Sequence, residues 1–356
     1  MSTILLVLIA ILVFVVIFQV AKASEYVTVL KGEEKARKHN NRINGFFMIG
    51  FLVLGFAGVW YCNSSLYPRT LFMQPAASDH GANIDRMLWI TLAVTGLVFI
   101  ITQTVLFWFA YRYQEKEGEK AFYYPHNNKL EVLWTTVPAI FLTVLVAFGI
   151  YYWFKATGEA PKDAMVVEIT GKQFNWMFRY PGKDGVLGKK DYKLIDYGKN
   201  DLGLKWDDQA SHDDITPTEM HLVVNKPVKL VIGAHDVIHD VGLNHFRLKM
   251  DAVPGIPTTM WFTPTVTTKE MKKITNNPDF VYEISCDQMC GQGHYSMRGI
   301  IVVQTQAEFD AWMLMQKTAY SNAFPEPDAK PVADSISKKT GMINNNQPKL
   351  VASIKK

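Results

Sequence analysis

Cysteine is scarce in this chain: 356 residues hold three, Cys62, Cys286 and Cys290. So few thiols exclude a disulfide framework as the force holding the fold. Net charge is small as well, at +4, with no basic stripe carrying interleaved aromatics, which excludes nucleic acid as a partner. The sequence has no internal repeat, no Gly-rich phosphate loop and no Ser-His-Asp arrangement, which removes solenoids, P-loop hydrolases and triad hydrolases. It also lacks Cys-x-x-Cys-His, so no haem is attached covalently.

What is present is unevenly placed. A hydrophobic content of 49% is ordinary overall, yet apolar residues crowd the first 155 positions and charges the remainder. Four stretches are long and apolar enough to cross roughly 30 Å of hydrocarbon as helices. They run from about Ile4 to Val20, Phe46 to Trp60, Met87 to Phe109 and Leu133 to Phe154. The first has no basic residue ahead of its apolar run and the chain starts at Met1, so it reads as a retained helix, not a cleaved signal. Loop charge then sets the orientation. Lys22, Lys31, Lys35, Arg37, Lys38 and Arg42 follow the first span, and Arg112, Lys116, Lys120 and Lys129 follow the third. The connection after the second carries only Arg69 up to Asp85. Both termini, and everything after Phe154, are expected on the non-cytoplasmic side.

Residues 164–304 read as β. Val228, Leu230 and Ile232 alternate with differently facing neighbours, as a half-buried strand requires. Similar runs at Val166–Tyr180, His221–Ala234, Asp279–Cys286 and Gly299–Val303, separated by Pro, Gly, Asn and Asp, predict a small sandwich or barrel. Gly182 to Pro217 is polar and predicts a surface loop or hairpin insertion. Ala307 to Lys317 has helical spacing, and the Pro-, Asn- and Lys-rich chain beyond Phe324 predicts an extended tail. The organisation is thus a helix pair with a basic loop over 1–84, a helical hairpin over 85–155, an exported β domain over 156–317 and a tail over 318–356.

Chemistry concentrates between Cys286 and Met297. Cys286-Asp-Gln-Met-Cys290-Gly-Gln-Gly-His294-Tyr-Ser-Met297 packs two thiols, an imidazole and a thioether into one loop after a strand. Such a mixture suits copper, with Met as a weak axial ligand. A further His must come from elsewhere, and His239, on a segment leaving the strand around Leu230–Ala234, is the best candidate. Spacing alone leaves open a disulfide or a structural zinc. Neither uses Met297, and a mononuclear blue-copper centre needs one Cys, not two. By ligand count, two coppers sharing both sulfurs fit best.

These residues resemble the binuclear copper (CuA) motif of subunit II of the haem–copper respiratory oxidases: Cys, three residues, Cys, three residues, His, two residues, Met. Asp236-Val-Ile-His239, Lys249-Met-Asp251-Ala-Val-Pro-Gly255, Gly171-Lys-Gln173-Phe-Asn-Trp176 with Tyr180, and Glu131-Val-Leu-Trp134-Thr-Thr-Val-Pro138 resemble further family elements. The resemblance spans about Leu71 to Trp312. It implies a membrane-anchored protein with an all-β, cupredoxin-like Greek-key barrel after its four transmembrane helices. It implies that Cys286 and Cys290 bridge two coppers, that His239 and His294 each bind one, and that Met297 and the Gln288 carbonyl are weak axial ligands. Asp251 would act behind the ligands, Phe174 and Trp176 would lie at the electron-entry surface, and Glu131 would lie at a proton-channel mouth.

Three departures narrow what is inherited. Gln288 stands where the family usually has a Glu that helps bind magnesium shared with subunit I, and an amide is a poorer ligand for a hard cation, which weighs against a full magnesium site. Phe174 replaces the usual entry tryptophan, and Ile256 replaces an Arg after Pro-Gly. Two N-terminal helices exceed the usual anchor.

Outside the motif the readings are plainer. Glu131 also fits an interfacial acid at a helix end. His212, His221, His235 and His245 read as surface or strand histidines, and Cys62 as having no metal role. Asp207, Asp208, Asp213 and Asp214 read as a solvated acidic loop, or as a patch that steers a basic cytochrome.

The expected function is the electron-entry subunit of a respiratory cytochrome c oxidase. It would take electrons from cytochrome c, or a cytochrome c domain of a partner complex, and pass them to haem in subunit I, where oxygen is reduced to water. Implied partners are subunit I, other oxidase subunits and membrane lipid, in a bacterial inner membrane with the copper domain periplasmic. Competing readings are a copper-free subunit of a quinol oxidase, a copper-bearing nitric oxide reductase subunit and a copper-binding module. A nitrous oxide reductase shares the loop but should lack the spans.

Overall fold

The computed structural model describes residues 3–325 except residue 117. Four helices are long and apolar enough to cross a membrane: α1 (Thr3–Lys31), α2 (Glu33–Leu66), α3 (Asp79–Arg112) and α4 (Asn128–Thr157). Each outruns the apolar stretch read from sequence, because the flanking polar residues continue the helix. The basic stretch from Lys22 to Arg42 is a case in point. It is helical on both sides of one break at Gly32, whose φ of 79° suits a residue without Cβ. Asn127 caps α4, its side chain accepting from the Leu130 N–H at 3.2 Å, and Glu131 lies exposed in the first turn, where a helix dipole favours an acid.

Among the described residues the exported part holds two sheets face to face. One has the order β2 (Asn175–Arg179), β1 (Met165–Lys172), β4 (Val228–Ala234), β7 (Thr258–Phe262). The other runs β3 (Met220–Val223), β9 (Arg298–Gln304), β8 (Tyr282–Cys286), β5 (His239–Leu243), β6 (Leu248–Ala252). The pairs β1–β4 and β3–β9 are parallel, so the chain crosses between sheets instead of meandering. Ile169, Leu230, Ile232 and Phe262 from one inner face meet Leu222, Val241, Leu243 and Ile284 from the other, all fully buried. The run expected at His221–Ala234 is two strands in different sheets, divided at Asn225 (φ 59°) and Pro227. That at Val166–Tyr180 is a hairpin turning at Gln173–Phe174.

The 182–217 excursion is the expected surface insertion, with antiparallel bridges between Lys190 and Leu204 and between Asp196 and Asn200, and this flap is pinned to the sheet at its base. Arg179, buried on β2, bridges Glu168 (Nε–Oε2 2.6 Å) and Asp214 (Nη1–Oδ2 2.8 Å), and donates to the Gly188 carbonyl. Asp214 has 0% exposure, and Asp213 accepts the Lys183 and Asp184 N–H groups, so half of the expected acidic patch faces inward to satisfy backbone and guanidinium donors. Burial pushes the Asp214 carboxyl up to about 6 against the pull of Arg179. The same burial is outweighed at Glu168, which Lys190 and Arg179 hold below the usual carboxylate range.

Helix α5 (Thr268–Ile274) lies between β7 and β8, and helix α6 (Gln306–Met315) forms where helical spacing was expected, with Thr305 and Glu308 making a capping box. After it the first part of the expected tail is ordered: α7 (Ala319–Ala323) sets Tyr320 and Phe324 edge-on against Trp206 of the flap. Residues 326–356 lie outside the described part.

The membrane and exported parts are joined before α3 begins. Ala77 and Ser78 are buried in the β domain: the Ala77 N–H donates to the His245 carbonyl (2.8 Å) and Ser78 Oγ to the Phe246 carbonyl (2.7 Å). The segment expected to be a connection ahead of residue 85 is therefore part of the domain's packing, and α3 runs through residues 84 and 85.

Candidate metal centre

β5 and β8 are neighbours, with Val241 opposite Cys286, so His239 and Cys286 start on adjacent strands at one end of the sheet. The loop leaving β8 closes on itself, the Cys286 N–H donating to the Met297 carbonyl at 3.1 Å. A single 3-10 turn, His294–Ser296, swings His294 back over it. Cys286 Sγ and Cys290 Sγ lie 3.7 Å apart and are both free thiols. His239 Nδ1 is 3.8 Å from Cys286 Sγ, and His294 Nδ1 is 3.7 Å from Cys290 Sγ. Met297 Sδ sits 3.9 Å from Cys290 Sγ, and the Gln288 carbonyl 3.2 Å from Cys286 Sγ. All six positions expected to hold metal thus converge, four of them buried: His239, Cys286, Cys290 and Met297.

The donor set fits a soft metal. Metal–nitrogen and metal–sulfur bonds of about 2.0 and 2.3 Å imply N···S separations of roughly 3.5–3.8 Å around one ion. The two His–Cys separations fall there, one on each side of the paired thiols. Two thiols in van der Waals contact, each with its own imidazole and a thioether nearby, suit a thiophilic ion better than a hard one. Burial, and then the neighbouring Cys286, push the Cys290 thiol up to about 11.

Support comes from a residue the motif reading passed over. Asp236 Oδ1 lies 2.8 Å from His239 Nε2, which leaves Nδ1 facing the thiols, and Oδ2 accepts the Gln173 N–H at 2.8 Å. Burial opposes its ionisation, but hydrogen bonds from Gln173, His239 and Val237 hold its carboxyl below the usual range. Gln173 also donates from Nε2 to the Cys290 carbonyl at 2.5 Å. The β1–β2 turn is therefore stitched to both ligand segments. The available signal was an acid three residues before a ligand histidine, the spacing of an orienting partner.

Phe174, on that turn, is 38% exposed and lies on the ligand loop: a Cβ at Gly293 would meet its ring at 2.5 Å. Trp176 is buried edge-on to His239, ring centres 6.0 Å apart, and a Cβ at Gly171 would stand 2.8 Å from the His239 ring. The expected pair at the entry surface is thus one exposed ring and one buried one. Asp251 is exposed on β6 opposite Asp240, and among the described residues its side chain bonds to no ligand residue. Glu131 belongs to α4, away from this site. Of the other histidines, His221 stacks on Trp312 (4.0 Å), His212 on Tyr320 (4.2 Å), and His245 packs edge-on to Phe280 (5.1 Å).

Comparison with known proteins agrees with this geometry. The model for the cytochrome c oxidase subunit II transmembrane domain matches residues 67–151, and that for its periplasmic domain residues 165–306. An alternative cytochrome c oxidase subunit 2 of Bradyrhizobium diazoefficiens is 35% identical over 246 residues, covering 68% of this chain and 83% of that protein. The chain belongs to the cytochrome c oxidase subunit II family. Cytochrome c oxidase subunit 2 of Cereibacter sphaeroides is 26% identical over 251 residues, 67% of this chain and 78% of that one. A crystal structure of the periplasmic domain of cytochrome oxidase subunit II of Bradyrhizobium japonicum aligns at 24% identity and TM-score 0.32, over 46% of this chain and 99% of that one. As a family member the chain is part of a cytochrome c oxidase, an oxidoreductase. It is a membrane protein whose cupredoxin-like β domain is periplasmic and of a copper-binding family. The matched region starts at residue 67, so α1 and α2 both lie outside it.

Proposed function

We propose that this chain is the electron-entry subunit of its oxidase, taking single electrons from cytochrome c and passing them to haem in subunit I. The observation that carries the reading is the symmetric donor set: two thiols 3.7 Å apart with one imidazole Nδ1 on either side. Cys286 and Cys290 would bridge two coppers, His239 and His294 would each hold one, and Met297 and the Gln288 carbonyl would complete the sites. A copper pair sharing both thiolates supplies one-electron chemistry with its charge spread over both metals. The protein's part is rigidity. Asp236 fixes the His239 tautomer, Gln173 ties the turn to the ligand loop, and burial keeps water from the thiols, all of which limits rearrangement on electron uptake. Phe174 offers the exposed π surface nearest the ligand loop, and Trp176 lies behind it against His239. The donor is a separate cytochrome c or a cytochrome domain of a partner complex.

Both termini are assigned to the periplasmic side of a bacterial inner membrane, supported by the basic residues around α1–α2 and after α3. Gln288 argues against a complete magnesium site. A copper-free quinol-oxidase subunit would have no use for this convergence of donors. Full-length chain in detergent, loaded with copper, should bind two coppers per chain and give a seven-line mixed-valence EPR pattern. One copper with a four-line signal sinks the binuclear reading.

A further inference from the structure

Helix α2 lies outside the region shared with the family, yet it builds a site with α3. Asp79, at the start of α3, is bonded to the β domain: its N–H donates to the Thr263 carbonyl at 3.1 Å and its carboxylate accepts the Thr263 N–H at 3.0 Å. From there α3 runs 34 residues to Arg112, about 50 Å at 1.5 Å per residue. Since the β domain is periplasmic, Arg112 lies at the cytoplasmic face.

There α2 and α3 approach closely at Gly45, where a Cβ would stand 3.3 Å from the Tyr111 ring of α3 and 2.9 Å from Gln114 Nε2 just beyond the helix. Beside that crossing is a cleft of about 520 Å³. Four cations line it, Lys38 and Arg42 from α2, Arg112 from α3 and Lys116 just beyond, against two carboxylates, Glu115 and Glu119. Glu115 is already held by Arg37 at 3.0 Å. Arg42, Arg112 and Lys116 have no carboxylate within ion-pair distance among the described residues. Arg42 instead lies over the Phe46 ring (6.0 Å) and Arg112 over Tyr113 (5.7 Å). Phe46, Tyr111 and Trp108 form a contiguous ring cluster, with centres 5.4 and 5.8 Å apart. Directly beyond these rings both helices become apolar. A cationic cleft rimmed by aromatics at the point where two spans leave the hydrocarbon is built at headgroup depth.

We propose that this cleft binds the headgroup of an anionic phospholipid of the cytoplasmic leaflet, with Arg42 and Arg112 as its principal phosphate contacts. The lipid would act as a wedge joining α2 to the hairpin. Planar guanidinium forks suit phosphate oxygens, and the acyl chains would follow the apolar faces of α2 and α3 toward Phe51 and Phe107. This assignment stands apart from the copper reading and depends only on the periplasmic placement of the β domain.

The test uses the whole oxidase complex in detergent, titrated with phosphatidylglycerol or phosphatidylcholine, with bound lipid counted by native mass spectrometry. One phosphatidylglycerol per copy of this subunit is expected, with little phosphatidylcholine. The double variant Arg42→Gln, Arg112→Gln should weaken retention tenfold or more, while Arg→Lys at both positions restores part of it. Lys129→Gln, at the same face but outside the cleft, should change nothing. Unaltered retention in the double variant, equal retention of phosphatidylcholine, or an equal loss in Lys129→Gln each overturns the site. Displacement of the lipid by millimolar inorganic phosphate would overturn the lipid assignment in favour of a phosphate site. If the double variant fails to assemble, by haem absorbance and subunit content, Lys116→Gln is measured in its place and should weaken retention in the same direction; unchanged retention there overturns the site.

Discussion

The Asp236 carboxylate accepts a hydrogen bond from His239 Nε2 at 2.8 Å, and this contact decides which imidazole nitrogen faces the thiols. Removing it leaves Nε2 without its partner and frees the ring to change tautomer. We expect Asp236→Ala to weaken copper retention about 10- to 100-fold, the usual effect of losing a partner behind a metal-binding histidine. Competition with a chelator measures it, and an unchanged affinity would show that the strand alone holds the ring. Asp236→Asn, which keeps an acceptor, should lose much less.

Gly171 faces the same imidazole from the other side. A methyl group there would approach the His239 ring at 2.8 Å and Trp176 at 3.1 Å, closer than atoms pack. Because His239 is fully buried, the ring has nowhere to go without disturbing β5. Gly171→Ala should therefore destabilise the β domain by about 1–3 kcal/mol and lower its copper content together. Thermal unfolding alongside metal analysis tests the pairing; loss of stability with full copper would place the strain elsewhere.

The spans and the ligand loop could be read from the amino-acid order, each for a physical reason. A span declares itself by length of apolar run, and the loop's donors lie within twelve residues, so spacing alone brings them together. Asp236 was harder, because its role depends on how β4 meets β5. The inward turn of Asp213 and Asp214 was hidden for a similar reason: a charge run looks solvated until Arg179 is found beneath it. Strand β5 buries His239 together with Val241, Gly242 and Leu243, which blurs its alternation, and β6 and β7 are only five residues long. The burial of Ala77 and Ser78 depends on contacts with Phe246 and Thr265, nearly 170 or more residues away, which no local pattern records.

Asp214 predicts a pH dependence with a definite sign. Its folded carboxyl titrates near 6, above an ordinary value of 3.8, so the folded state binds this proton more tightly than the unfolded chain does. The stability it contributes is fully present below 3.8 and is lost as pH rises through about 6. Asp214→Asn removes this group while keeping an acceptor for Arg179 and Gly188. The difference in melting temperature, wild type minus variant, should therefore fall between pH 4 and 6 and level off above 7. A flat difference across that range would show that Asp214 is ionised at no extra cost.

Arg247 joins the two halves of the molecule. Held in the left-handed region at φ 60°, it donates from Nε to Asp85 of α3 (2.9 Å), from Nη2 to the Leu71 and Gln74 carbonyls, and from Nη1 to the Asn244 carbonyl. Lysine keeps the charge but cannot reach four acceptors from one fixed plane. Hydrogen bonds from a charged group contribute about 1.5–3 kcal/mol each, so Arg247→Lys should cost about 2 kcal/mol or more even if one is kept. The loss should be local. Hydrogen exchange should rise around residues 71–85, and with it the freedom of the β domain over the membrane helices. If exchange there stays at the wild-type rate, the buried Ala77–Ser78 segment, and not the guanidinium, holds the domain in place.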